Sequence, residues 1–259
     1  MAEPIAVGVD NGGTWIRMIG LDASGRRVWA LKKPSPTVEK LPGFLKKHLR
    51  RFRGRLDGLG VGSRGVWKPG KRRAMKRALR GLAKKIVVMS DVEAAWLAAF
   101  RQEGILVISG TGSIAFGRKT DGTIARAGGL GAEKGDEGSG YWIAKEWLLR
   151  TGQDARASRP VREVAAMAPR VRDLALKNDP LALAIIQAAQ TELANLVREL
   201  VIRLDFKQIC VCGAGSLLSD PWFREGFFEA LSPMPINRVV PKTDAATALA
   251  RSIMSHAAR

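Results

Sequence analysis

"VGVDNGGTWIRM" (7–18) ends an apolar run in Asp10 and passes at once into Asn11, Gly12, Gly13 and Thr14 before a second apolar run begins. Paired glycines after an acid predict a tight turn at which backbone approaches something closely. The pattern recurs: "VGVDNGGTWIRMIGLDASG" (7–25) and "LVISGTGSIAFGRKTDG" (106–122) both read as strand, Gly-rich turn with a hydroxyl residue, second strand, and a turn of Asp and Gly. At a constant offset of 99, Gly13 matches Gly112, Thr14 matches Ser113 and Asp22 matches Asp121. A third strand follows each copy, RRVWALKK and TIARAG. Strand–turn–strand–turn–strand opens an antiparallel meander, and the period is too long for a solenoid. Two lobes of like architecture are therefore expected. A Rossmann turn or P-loop would lift the chain from a strand directly into a helix. A hairpin tip instead presents backbone N–H groups and a hydroxyl to an anion, and two facing tips would hold a polyphosphate.

The remaining elements read coarsely. LGVGS (59–63) and IVVMS (86–90) are strands flanking a basic helix, GKRRAMKRALRGLAKKI, with Met75, Leu79, Leu82 and Ile86 at helical spacing. DVEAAWLAAF (91–100) and SGYWIAKEWLL (139–149) are helical, and VREVAAMAPRVRDLAL breaks near Pro169. Asp179-Pro180 opens a long helix. Strand QICVC (208–212), loop GAGS, helix DPWFREGFFEAL, a short strand around Val239 and a final helix, DAATALARSIMSHA, complete the chain. The expected lobes are 1–101 with 244–259, and 102–243.

Composition excludes several classes. The 259 residues are 46% hydrophobic and 26% charged, which is globular rather than disordered. No apolar run is long enough for a membrane span. MAEPIAVGVD places an acid and a proline where a signal peptide needs a basic and then an apolar region. Cys210 and Cys212, one residue apart in an apolar run, suit neither a disulfide framework nor a zinc site. His48 and His256 are too few for a histidine metal cluster. A cytoplasmic protein is expected. The net charge of +19 concentrates in residues 46–85, which hold sixteen Lys or Arg and one acid, Asp57. A solvated basic face is favoured there over binding to nucleic acid or an acidic partner. No aromatic residue interleaves with the helix's cations, which argues against single-strand binding.

Two motifs are decoys. GVWKPGKR (65–72) nearly matches a P-loop, but Arg72 stands where the magnesium-binding hydroxyl belongs and Pro69 removes an N–H. VGSRG (61–65) has Val61 where a nucleophile elbow needs Gly. The stronger constellation is Asp10, Asp91, Asp136 and Glu137 with Gly213-Ala214-Gly215-Ser216, each at a strand end or in a glycine loop, where α/β folds place ligands. Helix capping alone would also account for Asp91 and Asp136.

The order "GVDNGGT", "SDVEAAWLAAF", "VISGTGS", "GGLGAEKGDEGSGYWIA", "VCGAGSLLSDPWF" resembles the N-acetylglucosamine kinase and BadF/BadG/BcrA/BcrD ATPase family of the actin–Hsp70–hexokinase superfamily. The resemblance implies an α/β, two-lobed, actin-like ATPase (ribonuclease H-like) fold with an interlobe cleft, and use of ATP and Mg²⁺. Asp10 would hold Mg²⁺, and Gly12, Gly13 and Thr14 would form the first phosphate loop. Gly110, Thr111, Gly112 and Ser113 would form the second. Gly213, Ala214, Gly215 and Ser216 would pack against adenosine. Asp91 would be the general base, and Asp136 and Glu137, with Gly129 and Leu130, would meet the sugar. The implied activity is ATP-dependent phosphorylation of an amino sugar of N-acetylglucosamine or glucosamine type. A homodimer is compatible with it. The alternative is an ATPase or nucleotide switch acting on a protein partner. The sequence departs from the sugar kinases at Leu130, where they carry Trp, and at PSPTV (34–38), where the N-acetylglucosamine enzymes carry Asn. The ATPase-activator branch of the family shares a [4Fe–4S] cluster across a dimer. Cys210 and Cys212 are its only candidate ligands, and they read better as small core residues.

Overall fold

The computed structural model describes residues 3–52, 54–153 and 160–255. His256 and the last residues of the expected final helix lie outside them. The chain forms two compact units, Met1–Arg101 with Pro241–Arg259, and Gln102–Val240.

In the first unit β1 (Ala6–Asn11), β2 (Trp15–Leu21) and β3 (Arg27–Pro34) form the antiparallel meander. Helix α1 (Leu41–Leu49) leads to β4 (Gly58–Ser63), α2 (Pro69–Ala78) to β5 (Lys85–Met89), and α3 (Asp91–Ala99) follows. The sheet order is β3-β2-β1-β4-β5, with β1, β4 and β5 parallel. The second unit repeats this with β6 (Gly104–Ser109), β7 (Ser113–Arg118) and β8 (Ile124–Gly128). After them come α4 (Gly140–Arg150), α5 (Val161–Ala165), α6 (Ala168–Leu176) and α7 (Pro180–Leu204), then β9 (Ile209–Ala214), α8 (Pro221–Glu229) and β10 (Ile236–Arg238). Its order, β10-β9-β6-β7-β8, is the same arrangement. The final helix, α9 (Ala245–Ser255), belongs to the first unit. Three antiparallel strands extended by two parallel ones through helical crossovers are the ribonuclease H-like core of the actin-like ATPase fold, present once per unit. Among the described residues no helix is long and apolar enough to cross a membrane.

Alternation sets what each face of the first sheet can hold. Val7 and Val9 of β1, with Leu59 and Val61 of β4, pack in one cluster with Leu41, Leu45 and Leu49 of α1 and Met75 of α2. The intervening residues are glycines. A Cβ on Gly8 would overlap the Ala246 carbonyl oxygen of α9, and one on Gly62 would press on Ala94 of α3. Bulky side chains thus lie under α1 and α2, and bare backbone under α3 and α9. By the same parity Asp10 faces the α3–α9 side. Gly8→Ala is expected to push α9 off the sheet and to cost about 3 kcal/mol, the upper range of core overpacking, read as a lower urea midpoint with an unchanged slope.

The structure corrects two boundaries and adds one helix. The basic helix stops at Ala78 instead of running to Ile86, because Gly81 turns the chain at φ +86° and KIVVM pairs as β5. Met75, Leu79, Leu82 and Ile86 are buried all the same. Strand β9 absorbs Gly213 and Ala214, which pair with Val107 and Ile108 of β6, so only Gly215 and Ser216 leave it. Helix α1 went unread; Leu41, Leu45 and Leu49 give it a buried stripe.

Candidate active site

In the first unit, Asp10 pairs in register with Arg17 of β2 and Gly62 of β4. Its side chain is 17% exposed, and Arg17 Nη1 lies 3.6 Å from Oδ2. Burial pushes the Asp10 pKa from 3.8 to about 6; Arg17 opposes this, while Asp91 and Asp244 reinforce it. Asp91 is the first residue of α3 and not its cap. Ser90 caps the helix: its hydroxyl accepts the Glu93 N–H, and the Glu93 carboxylate accepts the Ser90 N–H. That arrangement leaves the Asp91 carboxylate with the N–H of Val92, at 3.1 Å. Burial raises its pKa most; the Val92 N–H, its own amide and Arg64 lower it. Asp244, just ahead of α9, accepts the N–H and the hydroxyl of Thr247, both at 2.8 Å. Asp10 therefore shares the α3–α9 face of the sheet with the starts of both helices, whose N-terminal dipoles favour anions.

Arg72, the residue that spoils the P-loop match, is bidentate to Glu93 at 3.1 and 2.7 Å and donates to the Val66 carbonyl. It brackets α2 to the start of α3.

The first glycine turn has its carbonyls tied down. Ser35 Oγ donates to Gly12 O at 2.8 Å, Arg64 Nη1 to Gly13 O at 3.1 Å, and the Ser35 N–H to Thr14 O at 3.0 Å. Neither Gly12 nor Gly13 has a positive φ, and a Cβ on Gly13 would meet nothing within 4 Å. Backbone strain does not explain these glycines; a side chain at Gly13 would stand in open space. Among the described residues no group of three or more His, Cys, Asp or Glu side chains could hold a metal ion. Magnesium commonly keeps several waters and takes one or two carboxylates plus phosphate oxygens. A half-sequestered carboxylate with two others in electrostatic range fits that donor set.

In the second unit the tip is Gly110-Thr111-Gly112. The offset of 99 does not preserve hairpin register: Ser113 pairs with Ser109 as the first residue of β7, whereas Thr14 lies within its turn. Thr14 is exposed, but Ser113 is buried and its hydroxyl donates to Glu137 O at 2.6 Å. Ser109 Oγ donates to Gly138 O at 2.8 Å. These two hydroxyls stitch the acidic loop onto the tip. Ser139, not Asp136, caps α4 through the Trp142 N–H. The N–H groups of Gly140 and Tyr141 take the carbonyls of Gly110 and Thr111 at 2.7 and 3.2 Å. The N–H groups of Thr111 and Gly112 have no protein acceptor among the described residues.

Asp136 sits at φ +62° with its carboxylate against the tip; a Cβ on Gly112 would lie 2.6 Å from Oδ2. Burial raises its pKa, and the N–H groups of Ser113 and Gly131 lower it. Gly112→Ala should displace this carboxylate at a cost of about 1–3 kcal/mol, measured by urea unfolding; unchanged stability would contradict the contact. Gly215, at φ +92°, has no room for a Cβ because the Ser109 carbonyl oxygen occupies it, and Ser216 Oγ lies beside Gly110. The tip, the acidic loop and the start of the 215–216 loop are thus neighbours within this unit. Gly129 is left-handed at φ +67°, and Leu130 is 62% exposed.

Sequence reading missed Arg17, Arg64 and Asp244. Arg17 is found only by pairing β2 against β1. Arg64 lay in a motif weighed for a nucleophile, and Asp244 looked like an ordinary helix start. Asn11 was also missed: it is buried, donates to Ser63 Oγ at 3.1 Å and leaves Oδ1 unpartnered.

A model of the BadF/BadG/BcrA/BcrD ATPase family matches residues 7–248. An N-acetylmuramic acid/N-acetylglucosamine kinase of Clostridium acetobutylicum is 30% identical over 173 residues, 54% of this chain and 56% of that protein. The chain thus spans just over half the length of this curated relative. Among solved structures, a candidate N-acetylglucosamine kinase of Chromobacterium violaceum superposes with a TM-score of 0.71 at 22% identity, covering 94% of this chain and 96% of that one. A ROK family glucokinase of Streptomyces griseus, in complex with glucose and AMPPNP, gives 0.61 at 15% identity over 96% and 99%. These two likenesses are of fold.

Proposed function

We propose, from the premise that the chain belongs to the BadF/BadG/BcrA/BcrD ATPase family, that it is a kinase transferring the γ-phosphoryl group of ATP to a hydroxyl of an amino sugar of the N-acetylglucosamine or glucosamine type. The observation that carries this reading is the placement of Asp10 and Asp91 on one sheet face, both buried enough to raise their pKa values. The sequence likeness to the Clostridium kinase supports the acceptor class.

Phosphoryl transfer asks mainly for positioning and charge neutralisation. Asp10 would hold Mg²⁺, which neutralises phosphate charge when bound. Gly12, Gly13 and Thr14 would offer backbone to one part of the triphosphate. Gly110, Thr111, Gly112 and Ser113 would offer another set, with the unpaired N–H groups of Thr111 and Gly112 as donors. Gly213, Ala214, Gly215 and Ser216 would pack on adenosine. Asp91 would accept the proton of the acceptor hydroxyl, its raised pKa making it a stronger base than an ordinary carboxylate. Gly129, Leu130, Asp136 and Glu137 would meet the sugar, and Asp136 would also brace the tip through Gly112.

The [4Fe–4S] alternative has only Cys210 and Cys212 to draw on, and Cys212 is fully buried in β9 as a small core residue. The test is ADP release from Mg·ATP against N-acetylglucosamine, glucosamine, glucose, N-acetylmannosamine and N-acetylmuramic acid. Stimulation by an amino sugar is expected; turnover indifferent to every sugar would sink the reading.

A further inference from the structure

Of the sixteen cations of residues 46–85, Arg64 and Arg72 serve the site and the start of α3; the others have no part in the kinase reading. The fold gathers α1 and α2 on the sheet face opposite Asp10, with their apolar stripes buried. On α2 and its exit turn, Arg73, Lys76, Arg77 and Arg80 stand three, four and seven residues apart, which makes one stripe. With Lys84, Gly81, Ala83 and Ile86 they line a cavity of about 380 Å³. Lys84 pairs with Asp57 at 2.8 Å. The other four cations are exposed and form no ion pair among the described residues.

Lys76 and Arg77 stand in the last turn of α2, where its dipole favours cations, but four like charges at these spacings repel one another. Arg72 is neutralised by Glu93, whereas Arg73, Lys76, Arg77 and Arg80 have no acidic partner among the described residues. A local rule broken without internal compensation points to an external partner.

We propose that this face binds the phosphodiester backbone of double-stranded nucleic acid, independently of sequence. Four unpaired cations around a concavity match closely spaced phosphates, and phosphate contacts carry no sequence information. None of the exposed large apolar side chains lies on α1, α2 or the turn into β5, so nothing there would insert into a bilayer. No ring lines the cavity to stack unpaired bases.

The test is fluorescence anisotropy of a labelled duplex DNA with the full chain across a KCl series. Four phosphate contacts predict that log K falls against log[KCl] with a slope of about −3.5 to −4. The triple variant Arg73→Ala/Arg77→Ala/Arg80→Ala should flatten the slope by about 3 and weaken binding at low salt at least tenfold. The triple Lys variant at the same positions should retain binding, which separates charge from folding. ATP turnover should be unchanged in both, so failure here leaves the kinase reading standing, and the reverse. No duplex binding at low salt, equal binding by the Ala variant, tighter binding to single strands, or binding only to anionic vesicles would each overturn the proposal.

Discussion

Asp91→Asn should cut sugar-dependent ADP formation about 10²–10⁴-fold, the usual worth of a general base, with the fold intact. The structure makes this a clean substitution. Ser90 and Glu93 cap α3 without help from Asp91, so the helix start survives. The amide oxygen of Asn can still accept the Val92 N–H that Oδ1 accepts now. What is lost is proton affinity. Burial raises the Asp91 pKa, so wild-type kcat should fall as pH drops through that raised value, and the variant should lack this limb. Circular dichroism and the melting temperature serve as controls. A variant retaining more than about a tenth of wild-type rate would contradict the assignment, because a general base typically contributes about a hundredfold or more.

Asp10→Asn should have opposite effects on activity and on stability. Mg·ATP turnover is expected to fall by about 10² or more if Asp10 holds the ion. In chelated, nucleotide-free buffer the same variant should be more stable than wild type at neutral pH. The sign follows from linkage: the folded pKa, about 6, lies above the ordinary 3.8, so the unfolded chain releases this proton first as pH rises. Wild-type stability therefore declines between roughly pH 4 and 6, by up to about 3 kcal/mol from this group. Asn imitates the protonated acid and escapes the decline. Urea midpoints at pH 4 and pH 7.5 check it: the two proteins should converge at the lower pH and separate at the higher. A variant less stable at both values would show that the Arg17 contact outweighs burial.

The duplicated meander was readable because its signals are local. Glycine turns after apolar runs mark hairpins, and both sheets carry the strand order those turns imply. The helix stop at Gly81 was harder, since Leu82 and Ile86 keep helical spacing although the chain has already turned. Asp10, Asp91 and Asp136 stood out as acids at strand ends and in glycine loops. Their surroundings did not, because those depend on parity and pairing across distant segments. Ser113 shows the difference: the sequence pairs it with Thr14, but a hairpin of different length buries it and commits its hydroxyl to Glu137. Arg64 and Asp244 reach the site from loops whose local sequence carries no sign of it.

The most direct measurement is ³¹P NMR of Mg·ATP incubated with the protein and N-acetylglucosamine or glucosamine, followed through complete turnover. A sugar monophosphate resonance is expected to grow in step with ADP, with inorganic phosphate at background. Inorganic phosphate growing in step with ADP, and no sugar phosphate, would contradict it.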